Sequence, residues 1–194
     1  MNVGRLLLRG VVGPLFVGHG TQKLFGWFGG HGPEATGGFF ESLGLRPGKR
    51  HATAAGWSEA VGGALLTLGA FTPLAQAMIT GTMVTAIRKV HAQNGPWVTG
   101  NGYEYNLTLI ALTAALTETG PGSPSVDEGL FGDSMKGKGW ALAALAAGVA
   151  GSYIVTERLV EPAPQEGQAD VPGDPALAQQ PRFERESETA QQKA

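Results

Sequence analysis

The sequence predicts an all-α protein, a transmembrane four-helix bundle with an additional C-terminal helix and a disordered tail. Three observations lead there. Five stretches approach the roughly 20 mostly apolar residues that a bilayer-spanning helix needs. Charged residues supply only 15% of the chain, against roughly 25% in typical soluble domains, and many of them fall after residue 157. Glycine contributes 31 residues without a collagen-like period, an excess that suits helices packed closely in lipid.

The first segment runs from about Arg5 to Phe28. Arg5 and Arg9 ahead of an apolar run imitate a secretory leader, but His19 and Lys23 interrupt the run and no small-residue cleavage pattern follows. The glycine-rich Gly29 to Gly38 stretch reads as a loop. The second segment spans about His51 to Phe71 and the third about Pro73 to His91. Between them Thr72-Pro73 makes a turn, with proline at the first helical position where its missing N–H is harmless, so the two form a helical hairpin. The fourth segment covers about Tyr103 to Glu118 and the fifth about Trp140 to Val160. Segments two and five are the clearest.

A soluble helical bundle would show a charged face at helical period. Trp140 to Tyr153 and Leu107 to Thr117 carry no charge at all. Small residues recur at spacing four, as in Gly56, Ala60, Ala64 and in Ala77, Gly81, Thr85, and such faces let membrane helices approach closely. After Val160 the composition shifts to Pro, Gln, Glu, Gly and Ala, too polar to offset the entropy of ordering. The expected organisation is a four-helix membrane domain over 1–127, a linker with the fifth helix over 128–160, and a disordered tail over 161–194.

Without cysteine the chain has no disulfide, thiolate or iron–sulfur chemistry of its own. A net charge of -2 provides no basic field for nucleic acid. The partner these features imply is the lipid bilayer, and any thiol chemistry would fall to a partner protein.

Topology decides which polar groups can meet. If each segment crosses once, the Gly29 to Arg50 loop and the Gln93 to Gly102 connection share one face, here called the loop face. The turn between segments two and three and the Gly120 to Gly139 connection lie opposite. At about 1.5 Å of rise per residue, Lys23 and Glu59 both lie one to two turns inside the loop face and should pair in the bundle interior. His19 is one turn from Lys23; Arg88, Lys89 and His91 end segment three at the same face, and Glu104 begins segment four there. Trp27, Trp57, Trp97 and Tyr103 fall near that level, as an interfacial aromatic belt would. Candidate ligand-binding or proton-relay residues are thus His19, Lys23, Trp57, Glu59, Arg88, His91, Trp97 and Glu104. Haem through His19 and His91 is disfavoured by their unequal depths. A metal held by His19, Glu59 and Glu104 lacks recognisable ligand spacing, so no metal is expected.

The run Gly18-His19-Gly20-Thr21-Gln22-Lys23-Leu24-Phe25-Gly26, the Glu59 helix with Gly62-Gly63, Asn94-Gly95, Tyr103-Glu104-Tyr105-Asn106, and Gly120-Pro121-Gly122 leading to Ser125-Val126-Asp127 together resemble the DoxX family. The likeness covers about Arg5 to Asp127. It implies a four-helix, multi-pass protein of the prokaryotic inner membrane whose relatives are often associated with redox complexes, including a subunit of a thiosulfate:quinone oxidoreductase. Asp127 falls on the face opposite the other motif residues, where helix or turn capping is its plainer role.

Three functions follow as expectations. The first is a redox-associated subunit binding a quinone near the loop face. Lys23, Glu59 and Glu104 would bond its oxygens or relay protons, and Trp57 and Trp97 would pack on the ring. The second is a non-catalytic scaffold recruiting a partner through segment five or the tail. The third is a small transporter holding an anion between Lys23, Arg88 and Lys89. No catalytic centre is evident in this chain alone, and the positive residues lean toward a cytoplasmic loop face.

Overall fold

The computed structural model describes residues 2–162, and all of its regular structure is helical. Helix α1 spans Val3–Phe25, α2 Gly32–Ser42, α3 Gly48–Leu68, α4 Thr72–Ala86, α5 Glu104–Thr119, α6 Val126–Phe131 and α7 Lys138–Tyr153. A π-helical turn, Ile87–His91, prolongs α4, and another, Ile154–Arg158, prolongs α7. The five expected segments are α1, α3, α4, α5 and α7. The tail lies outside the described residues.

Stops and starts follow from local chemistry. Gly26 ends α1 at φ 71°, a left-handed conformation that glycine enters without steric cost. Gly69 ends α3 in the same way at φ 60°, and the Ala70 N–H closes onto the Leu65 carbonyl at 2.9 Å. The chain then reverses within Gly69–Phe71, and Pro73 sits in the first turn of α4.

Helix α1 lies along α3, and α4 is central, touching α3, α5 and α7. Close approach comes from small residues. A Cβ on Gly20 would sit 2.4 Å from the Ala60 nitrogen, and one on Gly63 would sit 2.6 Å from the Gly13 oxygen. The stripe Ala77, Gly81, Thr85 faces α7: a Cβ on Gly148 would meet the Ala77 oxygen at 2.6 Å, and the Thr85 and Ser152 hydroxyls are 2.9 Å apart. Phe16, Leu66, Ala75, Ile79, Met83, Leu109 and Leu116 form the core, uniting α1, α3, α4 and α5.

The exterior of this bundle is more apolar, and its interior more mixed, than in a water-soluble one. Leu7, Val11 and Leu15 on α1 and Leu142 on α7 are more than half exposed, while Thr72, Gln76, Thr80, Thr113 and Thr117 are fully buried. Thr113 and Thr117 return their hydroxyl protons to carbonyls one turn back, at 2.9 and 3.1 Å. Apolar groups outward suit lipid, and inward most polar groups are bonded, although Gln76 Oε1 and Thr80 Oγ1 meet no partner among the described residues. Among the described residues one helix, Lys138–Arg158, is long and apolar enough by itself to cross a membrane, with a mean hydropathy of 1.5. Segment two, expected to be equally clear, carries Lys49, Arg50, His51 and Glu59 within α3.

Two further expectations change. Gly32–Ser42, within the stretch read as a loop, is a helix, started by Pro33 with Glu34 in its first turn. Gly37 serves packing, since a Cβ on it would come within 2.8 Å of the Lys49 nitrogen on α3. The fifth segment is no appendage either, for α7 packs on both α4 and α5.

Candidate functional site: an apolar cavity edged by a lysine–glutamate pair

Lys23 stands in the last turn of α1 and Glu59 in the middle of α3. Because Gly20 and Ala60 let the two backbones nearly touch, the side chains meet, with Lys23 Nζ donating to Glu59 Oε2 at 2.6 Å. Glu59 is 8% exposed and Lys23 23%, so the pair is sheltered but reachable. Lys23 Nζ also contacts the His19 carbonyl at 3.4 Å, which leaves the ammonium with a free donor.

Beside this pair opens a cavity of about 520 Å³. Its walls come chiefly from four helices: Phe39 and Phe40 of α2 with Leu43 just after it, His51 and Ser58 of α3, Met78 and Gly81 of α4, and Gly148, Gly151 and Ser152 of α7. Lys89 and His91, on the π-helical turn that ends α4, line it as well. The lining is mostly apolar, with few polar groups.

Those polar groups have defined roles. Ser58 donates to the Met78 carbonyl at 3.2 Å and Thr82 to the Ile79 carbonyl at 3.0 Å, so the hydroxyl protons are committed and lone pairs remain. His91 Nδ1 lies 2.7 Å from the Asn101 carbonyl and His51 Nε2 lies 3.2 Å from the Arg46 carbonyl. A carbonyl only accepts, so each of those nitrogens carries a proton and the other ring nitrogen is free to accept.

The structure brings together only part of the expected set. Lys23, Glu59 and His91 line the cavity; His19, Trp57, Arg88, Trp97 and Glu104 do not. His19 is exposed on an outer groove, paired with Gln22 at 3.1 Å, because four residues advance about 40° around a helix. Trp57 stands two residues from Glu59, about 200° around α3, and rests edge-on against Phe25 with centroids 6.4 Å apart. Trp97 is 69% exposed in the connection between α4 and α5. Glu104 opens α5, which forms none of the cavity walls.

Arg88 turns to α7 instead. It donates to Thr156 Oγ1 and Glu157 Oε1, each at 2.7 Å, and its guanidinium lies 3.7 Å from the centre of the Tyr153 ring. An anion site built from Lys23, Arg88 and Lys89 is therefore not assembled. The residues sequence reasoning missed are His51, the α2 aromatics and the α7 wall. Only the small-residue stripe Ala77, Gly81, Thr85 signalled the wall, by asking for a close partner.

The DoxX family model matches residues 4–92, from α1 to the end of the π-helical turn. CatD of Bacillus subtilis (strain 168), a protein named provisionally as an oxidoreductase, is 32% identical over 116 residues, covering 60% of this chain and 80% of CatD. The chain belongs to the DoxX family. No solved structure matches it significantly. The apolar exterior of the bundle agrees with a DoxX-type membrane protein. Lys23, Glu59, Lys89 and His91 all lie within the DoxX match, whereas the cavity wall supplied by α7 lies beyond it.

Proposed function

We propose that this DoxX protein is a multi-pass subunit of the prokaryotic inner membrane, associated with redox chemistry, that binds a quinone-like molecule among α2, α3, α4 and α7. The observation that carries this reading is the Lys23–Glu59 pair set at the edge of an apolar cavity of about 520 Å³. Ligand pockets of roughly 300–1,000 Å³ typically combine apolar walls with a few polar groups that fix orientation. The name of CatD as an oxidoreductase supports the redox half.

A quinone, when reduced, takes up two electrons and two protons. The chain's part is to bind and to manage protons. Lys23 presents its free N–H to a carbonyl oxygen, and Glu59 holds that ammonium in place. Proton exchange then falls to Glu59 and to the free nitrogen of His91. Electrons come from a partner redox protein, and the domain division expected from the sequence, with residues 1–127 as the DoxX-like four-helix membrane domain, is part of the same proposal.

The test is equilibrium binding of menaquinone and ubiquinone analogues to the full chain in lipid nanodiscs, corrected for partition into protein-free discs. Saturable binding should weaken about 10- to 100-fold in Lys23→Met, the range for losing a hydrogen bond from a charged group. Unsaturable uptake, or equal binding by wild type and Lys23→Met, would remove the reading.

A further inference from the structure

The charges lining the cavity do not balance. Glu59 is neutralised by Lys23 at 2.6 Å. Across the α4–α7 seam, Glu157 lies within electrostatic range of Lys89, but Arg88 already holds its carboxylate at 2.7 Å. Arg88, Lys89 and Glu157 together therefore keep one positive charge in excess. His51 and His91 contribute zero or a further positive charge, never a negative one. Among the described residues Lys89 has no ion-pair partner, and it lines the cavity from a half-buried position. A cation beside apolar walls gains most from a counterion that arrives with the ligand, because attraction strengthens as water is excluded.

We propose that the cavity takes an anionic amphiphile, an apolar ring system whose single negative group pairs with Lys89 while a neutral oxygen meets Lys23. This rests on the quinone-like reading above and narrows it to acidic members of that chemistry. Lys89 is the residue that selects charge; Lys23 engages either kind of ring. Gly151 leaves room on the α7 wall for the apolar body, since a Cβ there would meet nothing within 4 Å.

Two probes of nearly equal shape separate the claims: 1,4-naphthoquinone, which is neutral, and 2-hydroxy-1,4-naphthoquinone, which is an anion at neutral pH. Binding to the full chain in nanodiscs, corrected for partition into empty discs, should favour the anion about tenfold or more, as a charged hydrogen bond warrants. Lys89→Met should erase that preference by weakening the anion alone, and Lys89→Arg should restore it. Equal affinities in wild type, or a preference that survives Lys89→Met, would overturn the role of Lys89 while leaving a quinone pocket standing. Failure of both probes to bind would overturn the pocket itself and this inference with it.

Discussion

The two ends of the bundle each bury ionisable side chains, and they treat them differently. At the end opposite the loop face, Arg9 is 4% exposed and donates to the carbonyls of Leu66, Thr67, Pro121, Gly122 and Pro124. Asp127, 1% exposed, accepts from the Phe71 and Thr72 amides at 2.6 and 2.8 Å and from the Thr72 hydroxyl at 2.6 Å. It thereby caps α4 and holds Phe71 at φ 45°, an uncommon conformation for a bulky residue. Arg9 fastens the end of α3 to the turn that precedes α6, so this end is a backbone clasp. At the loop face the acid and amine satisfy one another only in part, and they border open volume. A buried charge whose bonds are taken up by backbone groups and a capping hydroxyl serves architecture; one with capacity left over, beside a cavity, is available for a ligand.

The comparison breaks most readily at Arg9. Arg9→Met removes the guanidinium from five carbonyls, and the expected loss is about 3 kcal/mol of stability. Thermal unfolding in detergent would show this, and a midpoint near that of wild type would refute the clasp. At the other end, Glu59→Gln should weaken binding of a quinone analogue about 10-fold by releasing Lys23 from its position, while moving the unfolding midpoint far less than Arg9→Met. If the two substitutions destabilised equally, the distinction between clasp and site would be lost. Asp127→Asn keeps one acceptor at the cap but loses the charge at the α4 N-terminus, so about 1–2 kcal/mol should go, read from the same melts, without effect on ligand affinity. The smallest stability change belongs to Gly151→Leu, expected within about 1 kcal/mol because a Cβ there meets nothing within 4 Å and the side chain grows into open volume. Its value is that ligand binding should nonetheless disappear, and retained binding would place the ligand elsewhere.

Much of the candidate site was legible because helical geometry is rigid. Counting 1.5 Å per residue from each end set Lys23 and Glu59 at one depth, and glycine and alanine at spacing four implied that their helices could close on each other. Azimuth was not legible in the same way. Arg88 and Lys89 are neighbours in the chain, yet one grips α7 and the other lines the cavity, because about 100° of rotation separates them. Trp57 escaped for the same reason.

Helix α2 was hidden by its own composition, since Gly32, Gly37 and Gly38 read locally as a loop. The helix packs on α3, where Gly37 is required by the closeness of two backbones rather than by flexibility. The sequence by itself determined the five long helical segments, their order, the matching depth of the buried acid and amine, and the family. Only the tertiary structure decided which side of each helix faces a neighbour, that α7 walls the cavity, and that Arg9 and Asp127 close the far end. Hydrophobic pattern and helical rise are properties of a segment, whereas rotation about the helix axis is settled by the partners it packs against.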